Sequence, residues 1–193
     1  MFHIIRSEDA LAAQTSRRVL YAMSPRDTRV ANGASTIDCD PSDPFHAAVL
    51  VGSGDAEIVP VAADRFVGGT GDGASPGDLF CAALAASIDS ALRISASVHG
   101  VPIRALSVDV RGWLDPRGAL GDAHAGAAGF HSMVCTVRLE VGHDVDAARL
   151  RAALADGERT ATVLATLRPV VPCHIGYEIS RRAAAALPHR LAA

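Results

Sequence analysis

The clearest pattern along the chain lies in P-G-D-L-F-C-A-A-L-A-A-S-I-D-S-A-L-R-I-S-A-S-V, residues 76–98, where apolar side chains occupy most faces of a helical wheel. Ser75 stands where an N-cap belongs, Pro76 suits the first helical position, and Asp78 falls three residues after the cap. Together they form a variant capping box, the acidic side chain answering backbone N–H groups that a helix start leaves unpaired. Asp89 and Arg93 are spaced to pair along one face. Gly100 and Pro102 stop the run. The pattern predicts a helix from Pro76 to about Val98, buried nearly all round.

Period-two alternation marks the strands. Leu106, Val108 and Val110 alternate with Ser107, Asp109 and Arg111, and Met133, Cys135, Val137, Leu139 and Val141 share one side of a second strand. A glycine- and alanine-rich loop, 118–129, joins the two as antiparallel neighbours. Shorter strand-like patches occur at Arg18–Met23, Thr28–Asn32, Ala47–Val51 and Ile58–Val61, a small meander punctuated by Pro, Gly, Asp and Ser. The stretch before Gln14 reads either as a short helix or as a loose arm. Helical spacing covers Asp146–Leu154, is interrupted by Gly157 and resumes over Glu158–Leu167, ahead of a last strand, Val170–Ile179. Helix, two strands, helix, strand after a meander is an α+β order.

Composition narrows the function classes. The net charge is −3 across 193 residues, which offers no basic field for nucleic acid. The longest apolar stretches fall short of the roughly 20 residues that span a bilayer, and acidic Glu8 and Asp9 sit where a signal peptide needs an apolar run. No membrane association and a cytoplasmic location are the expectations. Cys39, Cys81, Cys135 and Cys173 are far apart and read as separate core thiols, neither a zinc site nor a disulfide framework. The scattered histidines show no H-x-H or H-x-x-x-H spacing, so neither metal nor cofactor is expected.

Two motifs are better read as structure than as chemistry. G-G-T-G-D-G (68–73) lacks the lysine of a P-loop and serves to turn the chain sharply into the helix. Ser87 lies within A-A-S-I-D, inside a helix and without the glycines of a nucleophile elbow, so a hydrolytic role is disfavoured. A mid-helix serine usually bonds back to a carbonyl one turn earlier.

The glycine-rich lead, S-P-G-D-L-F-C-A-A-L-A-A-S, the strand pair after it and V-L-A-T-L-R together resemble the OsmC/Ohr family, osmotically inducible protein C and organic hydroperoxide resistance protein. The resemblance covers about residues 45–180, leaving an N-terminal arm with the first strands (1–45) and a tail (181–193). It implies an intertwined homodimer of α+β fold, a long buried central helix against antiparallel sheets, with two sites between subunits. Each family site uses a peroxidatic cysteine on the central helix, a resolving cysteine on the later helix, and a glutamate and an arginine that hold the pair ready. The peroxidatic position falls on Ser87, the resolving position on Ala161, and the glutamate on Gly77, with Asp78 the nearest carboxylate. Arg65 and Arg29 are the candidates for the arginine.

Peroxide reduction needs a thiolate that becomes a sulfenic acid, which a second thiol then captures as a disulfide. A serine hydroxyl stays protonated near neutral pH and has no accessible sulfenic counterpart. Two functions are therefore carried forward. In the first, a divergent member keeps an interfacial pocket, with Ser87, Ala161, Asp78 and Arg65 as candidate lining, for a small apolar or amphipathic ligand. In the second, the chain reduces hydroperoxides through a relocated thiol, Cys81, which sits about 120° round the helix from Ser87.

Overall fold

The computed structural model describes residues 7–23, 33–35, 40, 42–52 and 56–182. Its elements are α1 (Ser7–Met23), β1 (Gly33–Ser35), β2 (His46–Val51), β3 (Glu57–Ala62), a 3₁₀ turn (Arg65–Val67), α2 (Pro76–Val98), β4 (Ile103–Leu114), α3 (Pro116–Ala119), β5 (Phe130–Gly142), α4 (Ala147–Thr160), α5 (Thr162–Leu167) and β6 (Cys173–Arg182).

Strand β5 is the spine of the core. Its alternation buries Met133, Cys135, Val137 and Val141 completely and Leu139 nearly so. It pairs antiparallel with β4, placing Val108 opposite Val137 and Val110 opposite Cys135. On its other edge it pairs parallel with β6, Cys135 opposite Ile175 and Val137 opposite Tyr177. A parallel neighbour requires a crossover, and α4 and α5 supply it. Leu84, Ile88 and Leu92 of α2 pack onto Met133, Cys135 and Val137, and Leu164 and Leu167 of α5 close the same core. At the far end Ala96, Val101, Leu139, Val141, Leu150 and Ala153 form a second cluster.

Helices α2 and α4 approach closely because Gly157 has no side chain. A Cβ there would lie 2.6 Å from Leu92 Cδ2 and 3.1 Å from Leu92 Cα. Nearby, the buried Ser95 Oγ donates to the carbonyl of Ala153 at 2.8 Å. Gly157 therefore lies inside α4 and does not interrupt it, correcting the expectation from sequence. The break comes at Ala161, whose extended backbone (φ −68°, ψ 102°) separates α4 from α5.

Two further expectations change. Arg18–Met23 is the last part of α1 and not a strand; strong helix formers upstream, from Glu8 to Arg18, carry the helix through Val19 and Tyr21. The Thr28–Asn32 patch lies outside the described residues. Helix α2 is buried on one side only: Leu84, Ile88, Ala91, Leu92, Ser95 and Ala96 face the core, while Ala82, Ala83, Ala86, Ser90 and Ile94 are exposed. It is also, by length and composition, long and apolar enough to cross a membrane, with a mean hydropathy of 1.4. The core helix of a globular protein passes the same test, and the core-facing side of α2 packs on β5.

The β1–β2–β3 sheet is antiparallel throughout. It joins the rest through the bridge between Val61 and Ala74, where the Ala62 N–H donates to the Ala74 carbonyl at 3.0 Å. Val51 and Ile58 on this sheet are 50 % and 58 % exposed, so it lacks cover for part of its apolar surface.

Gly157→Ala tests the close approach. Intrinsic propensity alone predicts a gain of about 1 kcal/mol for alanine in a helix. Overpacking against Leu92 is expected to outweigh it and cost about 1–3 kcal/mol, read as a lower urea midpoint.

Candidate functional site

The approach to α2 is built from backbone constraints. At Gly69 a Cβ would lie 2.0 Å from the Ala63 carbonyl oxygen, so only glycine lets the chain pass. Gly71 has φ +63°, and the Arg65 side chain lies across it, its Nε donating to the Thr70 carbonyl at 3.2 Å. His46 ties β2 to the same loop, with Nδ1 2.7 Å from Asp43 and Nε2 3.1 Å from Asp72. Both carboxylates hold the His46 imidazolium above its ordinary pKa. Arg65 thus props the glycine loop, while Arg29 lies outside the described residues.

The capping box forms as expected. Ser75 Oγ accepts the Asp78 N–H at 3.2 Å, and Asp78 Oδ2 accepts the Ser75 N–H at 2.8 Å and its hydroxyl at 2.9 Å. Asp78 is therefore occupied as a cap.

Three turns further along, Ser87 and Ala161 do come together. Ser87 Oγ accepts the backbone N–H of Val163 at 3.1 Å. Helix α5 starts directly after Ala161, which carries no capping side chain, so the first turn needs an acceptor from elsewhere. A serine of α2 supplies it. This replaces the expected bond back to α2's own preceding turn. Around this contact runs a groove of about 570 Å³. Ala83, Ala86, Ile94 and Val98 form its apolar floor, Thr160, Thr162 and Arg159 one wall, and Gln14 and Arg18 of α1 the other.

Gly77, Asp78 and Cys81 belong to a different cleft, of about 690 Å³, at the start of α2. It is walled by Phe66, Val110, Trp113 and Phe130. Phe130 stacks on Phe80 with ring centroids 5.5 Å apart, over Gly112, where a Cβ would come within 2.7 Å of the ring. Burial raises the Cys81 pKa, the Asp78 carboxylate raises it further, and a backbone hydrogen bond at Gly112 offsets part of this. Burial pushes Cys135 to about 11. It also raises Cys173, against a lowering by Arg168. All three are free thiols; Cys39 lies outside the described residues.

The predicted site residues thus fall into separate groups. Ser87 lines the groove, while Gly77, Asp78 and Cys81 share the other cleft; contrary to expectation, Ala161, buried at 1 % exposure, and Arg65 line neither. Sequence reasoning missed Arg18 and Arg159, and also a network in which Glu158 accepts Tyr177 Oη at 2.8 Å and pairs with Arg168. Burial, then Glu158, raises the tyrosine pKa. These residues lie on α4, at the end of α5 and on β6, too far apart in sequence to signal their meeting. No cluster of three His, Cys, Asp or Glu side chains suited to a metal occurs among the described residues.

The profile of the family described as OsmC-like protein matches residues 69–175, over half the chain. The chain belongs to the OsmC-like family. Solved structures with the same fold include an OsmC-like protein from Mycoplasma pneumoniae, at TM-score 0.63 and 12 % identity, covering 81 % of this chain and 100 % of that one. An organic hydroperoxide resistance protein OsmC from Legionella pneumophila superposes at TM-score 0.58 and 17 % identity, covering 79 % and 99 %. An organic hydroperoxide resistance protein from Elizabethkingia anophelis, with thiocyanate bound, gives 0.57 and 14 %, covering 81 % and 99 %. At these identities the likeness establishes the fold. No curated protein sequence matches the chain. Within the family fold, α2 is the long central helix.

Ser87→Ala removes the only side-chain cap described for α5. The expected loss is about 0.5–2 kcal/mol of stability, with faster amide exchange concentrated at Val163. The raised thiol pKa gives a second expectation: at pH 7 iodoacetamide labels Cys81 more slowly than an unfolded cysteine peptide, and the gap narrows as pH rises past 9.

Proposed function

We propose that this OsmC-family chain is a divergent relative of hydroperoxide resistance proteins that does not run thiol chemistry at the family position, and that its Ser87 groove binds a small apolar or amphipathic molecule. The hydrogen bond from Val163 N–H to Ser87 Oγ carries the reading. Where the resemblance sets a peroxidatic sulfur, this chain has a hydroxyl engaged in holding α5. The resolving position is the methyl group of Ala161, 1 % exposed. Neither atom can cycle between thiolate, sulfenic acid and disulfide.

The alternative, a relocated thiol at Cys81, is disfavoured by its surroundings. Its pKa is raised by burial and by Asp78, the reverse of what a nucleophilic thiolate needs. It also lies in a cleft that Ser87 and Ala161 do not line.

We place the working form in the cytoplasm as a homodimer. An isolated three-stranded sheet with exposed Val51 and Ile58 needs cover. So does the α2 stripe of Ala82, Ala83, Ala86 and Ile94, which would leave the Ser87 groove as a pocket at the boundary between the two copies. A second copy offers the same surfaces in return, as a two-fold interface requires. Thiols kept unpaired suit a reducing compartment.

Cumene hydroperoxide consumption with dithiothreitol as reductant tests the proposal. The wild-type chain and C81S are both expected to match the protein-free control, while the S87C/A161C double variant gains turnover. Rapid stoichiometric consumption by the wild-type chain would overturn the reading, and its loss in C81S would move the activity to that thiol.

A further inference from the structure

We infer that His46 is a proton-operated latch on the glycine loop, closed while its imidazolium bridges Asp43 and Asp72 and opened on the Asp72 side when the ring loses a proton, independently of any ligand in the Ser87 groove. Donors and acceptors decide the charge of the ring. His46 Nδ1 lies 2.7 Å from Asp43 Oδ2, and Nε2 lies 3.1 Å from Asp72 Oδ1. An ionised carboxylate only accepts, and a neutral imidazole carries one N–H, so only the doubly protonated ring satisfies both contacts. The hydrogen bonds to Asp43 and then to Asp72 raise the His46 pKa. Asp43 is lowered by the Phe45 N–H and then by His46, and Asp72 by the Thr70 hydroxyl and then by His46.

The two sides of the bridge are unequal. Asp43 is fixed by the turn that opens β2, its Oδ1 accepting the N–H of Phe45 at 2.8 Å and of His46 at 3.2 Å. Asp72 stands on the glycine loop, its side chain 61 % exposed against 39 % for Asp43, and is held by His46 and by the Thr70 hydroxyl of its own loop. A neutral ring therefore keeps its proton on Nδ1, at the shorter contact, and turns the Nε2 lone pair toward Asp72. Backbone bonds anchor the loop on either side, from Gly69 N–H to the Asp64 carbonyl and from Ala62 N–H to the Ala74 carbonyl, both at 3.0 Å. Arg65 Nε adds a tie at the Thr70 carbonyl. The part released is thus Gly71–Gly73, whose glycines move freely between conformations. It lies just before Ser75, which lines the cleft at the start of α2. Among the other groups packed here, Asp40 interacts by charge with Asp43, Asp64 lines the cleft, and Ala62, opposite His46 on β3, brings no charge. Every bond of the latch is made within one chain, so it is complete without a second copy.

Because the ring's pKa lies above the ordinary 6.5, the latch is closed below pH 6.5 and opens as pH rises through the raised value. Both carboxylates lie below their ordinary 3.8, so it opens again in acid, as pH falls through their lowered values. NMR of the full chain from about pH 5.5 to about 9 tests this, with the His46 ring signal assigned by its loss in H46Q. Backbone order parameters at Asp72 and Gly73 are expected to fall from about 0.85 toward about 0.6 as His46 deprotonates, while Phe45, held by Asp43, stays ordered. In D72A the ring's proton affinity should drop about threefold to tenfold, and the loop should be loose at both ends of the range. A wild-type His46 midpoint at or below 6.5 overturns the latch. So does loop order that is equal on both sides of that midpoint, or a midpoint that D72A leaves unmoved.

Discussion

The contact of the Gly157 backbone with Leu92 sets the geometry on which the rest of this molecule depends. With no Cβ at 157, α4 lies against α2 at backbone distance, and the buried Ser95 hydroxyl fixes the register by bonding the Ala153 carbonyl. Four residues on, the chain turns extended at Ala161 and restarts as α5. That restart falls beside Ser87 only because the two helices run so close. A wider separation would move the first turn of α5 away from the serine and leave its N–H groups unpaired, while Leu164 and Leu167 would leave the core. Packing, helix capping and the shape of the groove are thus one constraint expressed at successive points along α4 and α5.

The same geometry gives the hydroxyl at position 87 a structural task. A hydroxyl is smaller than a thiol and a better hydrogen-bond acceptor. At position 87 it answers an N–H that a helix start otherwise leaves open. Sulfur elsewhere gains nothing from this. Cys81, Cys135 and Cys173 sit where burial favours the neutral thiol. Arg168 lowers both Cys135 and Cys173 somewhat, but its guanidinium is engaged by Glu158. Electrostatics, and not the mere number of thiols, is what disfavours a thiolate at these three positions.

Much of the fold was legible because its signals are local. The Ser75–Pro76–Asp78 cap and the Gly100 stop mark the ends of α2 within the chain itself, and the period of two in Met133–Val141 names the buried face of β5. Misreadings arose where a distant partner decides. Gly157 looks like a helix breaker until Leu92 is placed against it, and the backbone then favours glycine for closeness. The Val19–Tyr21 patch has strand-like composition, yet its neighbours in sequence are helix formers and α1 continues through it. The pairing of Ser87 with Ala161 was recoverable by family resemblance. Their actual relation, a hydroxyl capping the next helix, was not, because nothing near either residue encodes the position of the Val163 N–H.

Distances along α2 decide which of the predicted site residues one chain can bring together. Asp78 and Ser87 are nine residues apart, about 13 Å of helix rise, and they open into different cavities. No side-chain motion brings Gly77 or Asp78 of one chain to its own Ser87. A site combining both ends of the helix needs a second copy, laid so that one helix start meets the middle of the other. The exposed stripe of Ala82, Ala83 and Ala86 lies between those two points on α2. Small side chains there permit close approach of another backbone, and their low conformational entropy makes ordering them cheap. The stripe that leaves α2 half-covered in the single chain is therefore the surface on which the proposed homodimer would rest. In such an assembly Ser87 would keep its bond to Val163, because that contact is made wholly within one chain and faces α5.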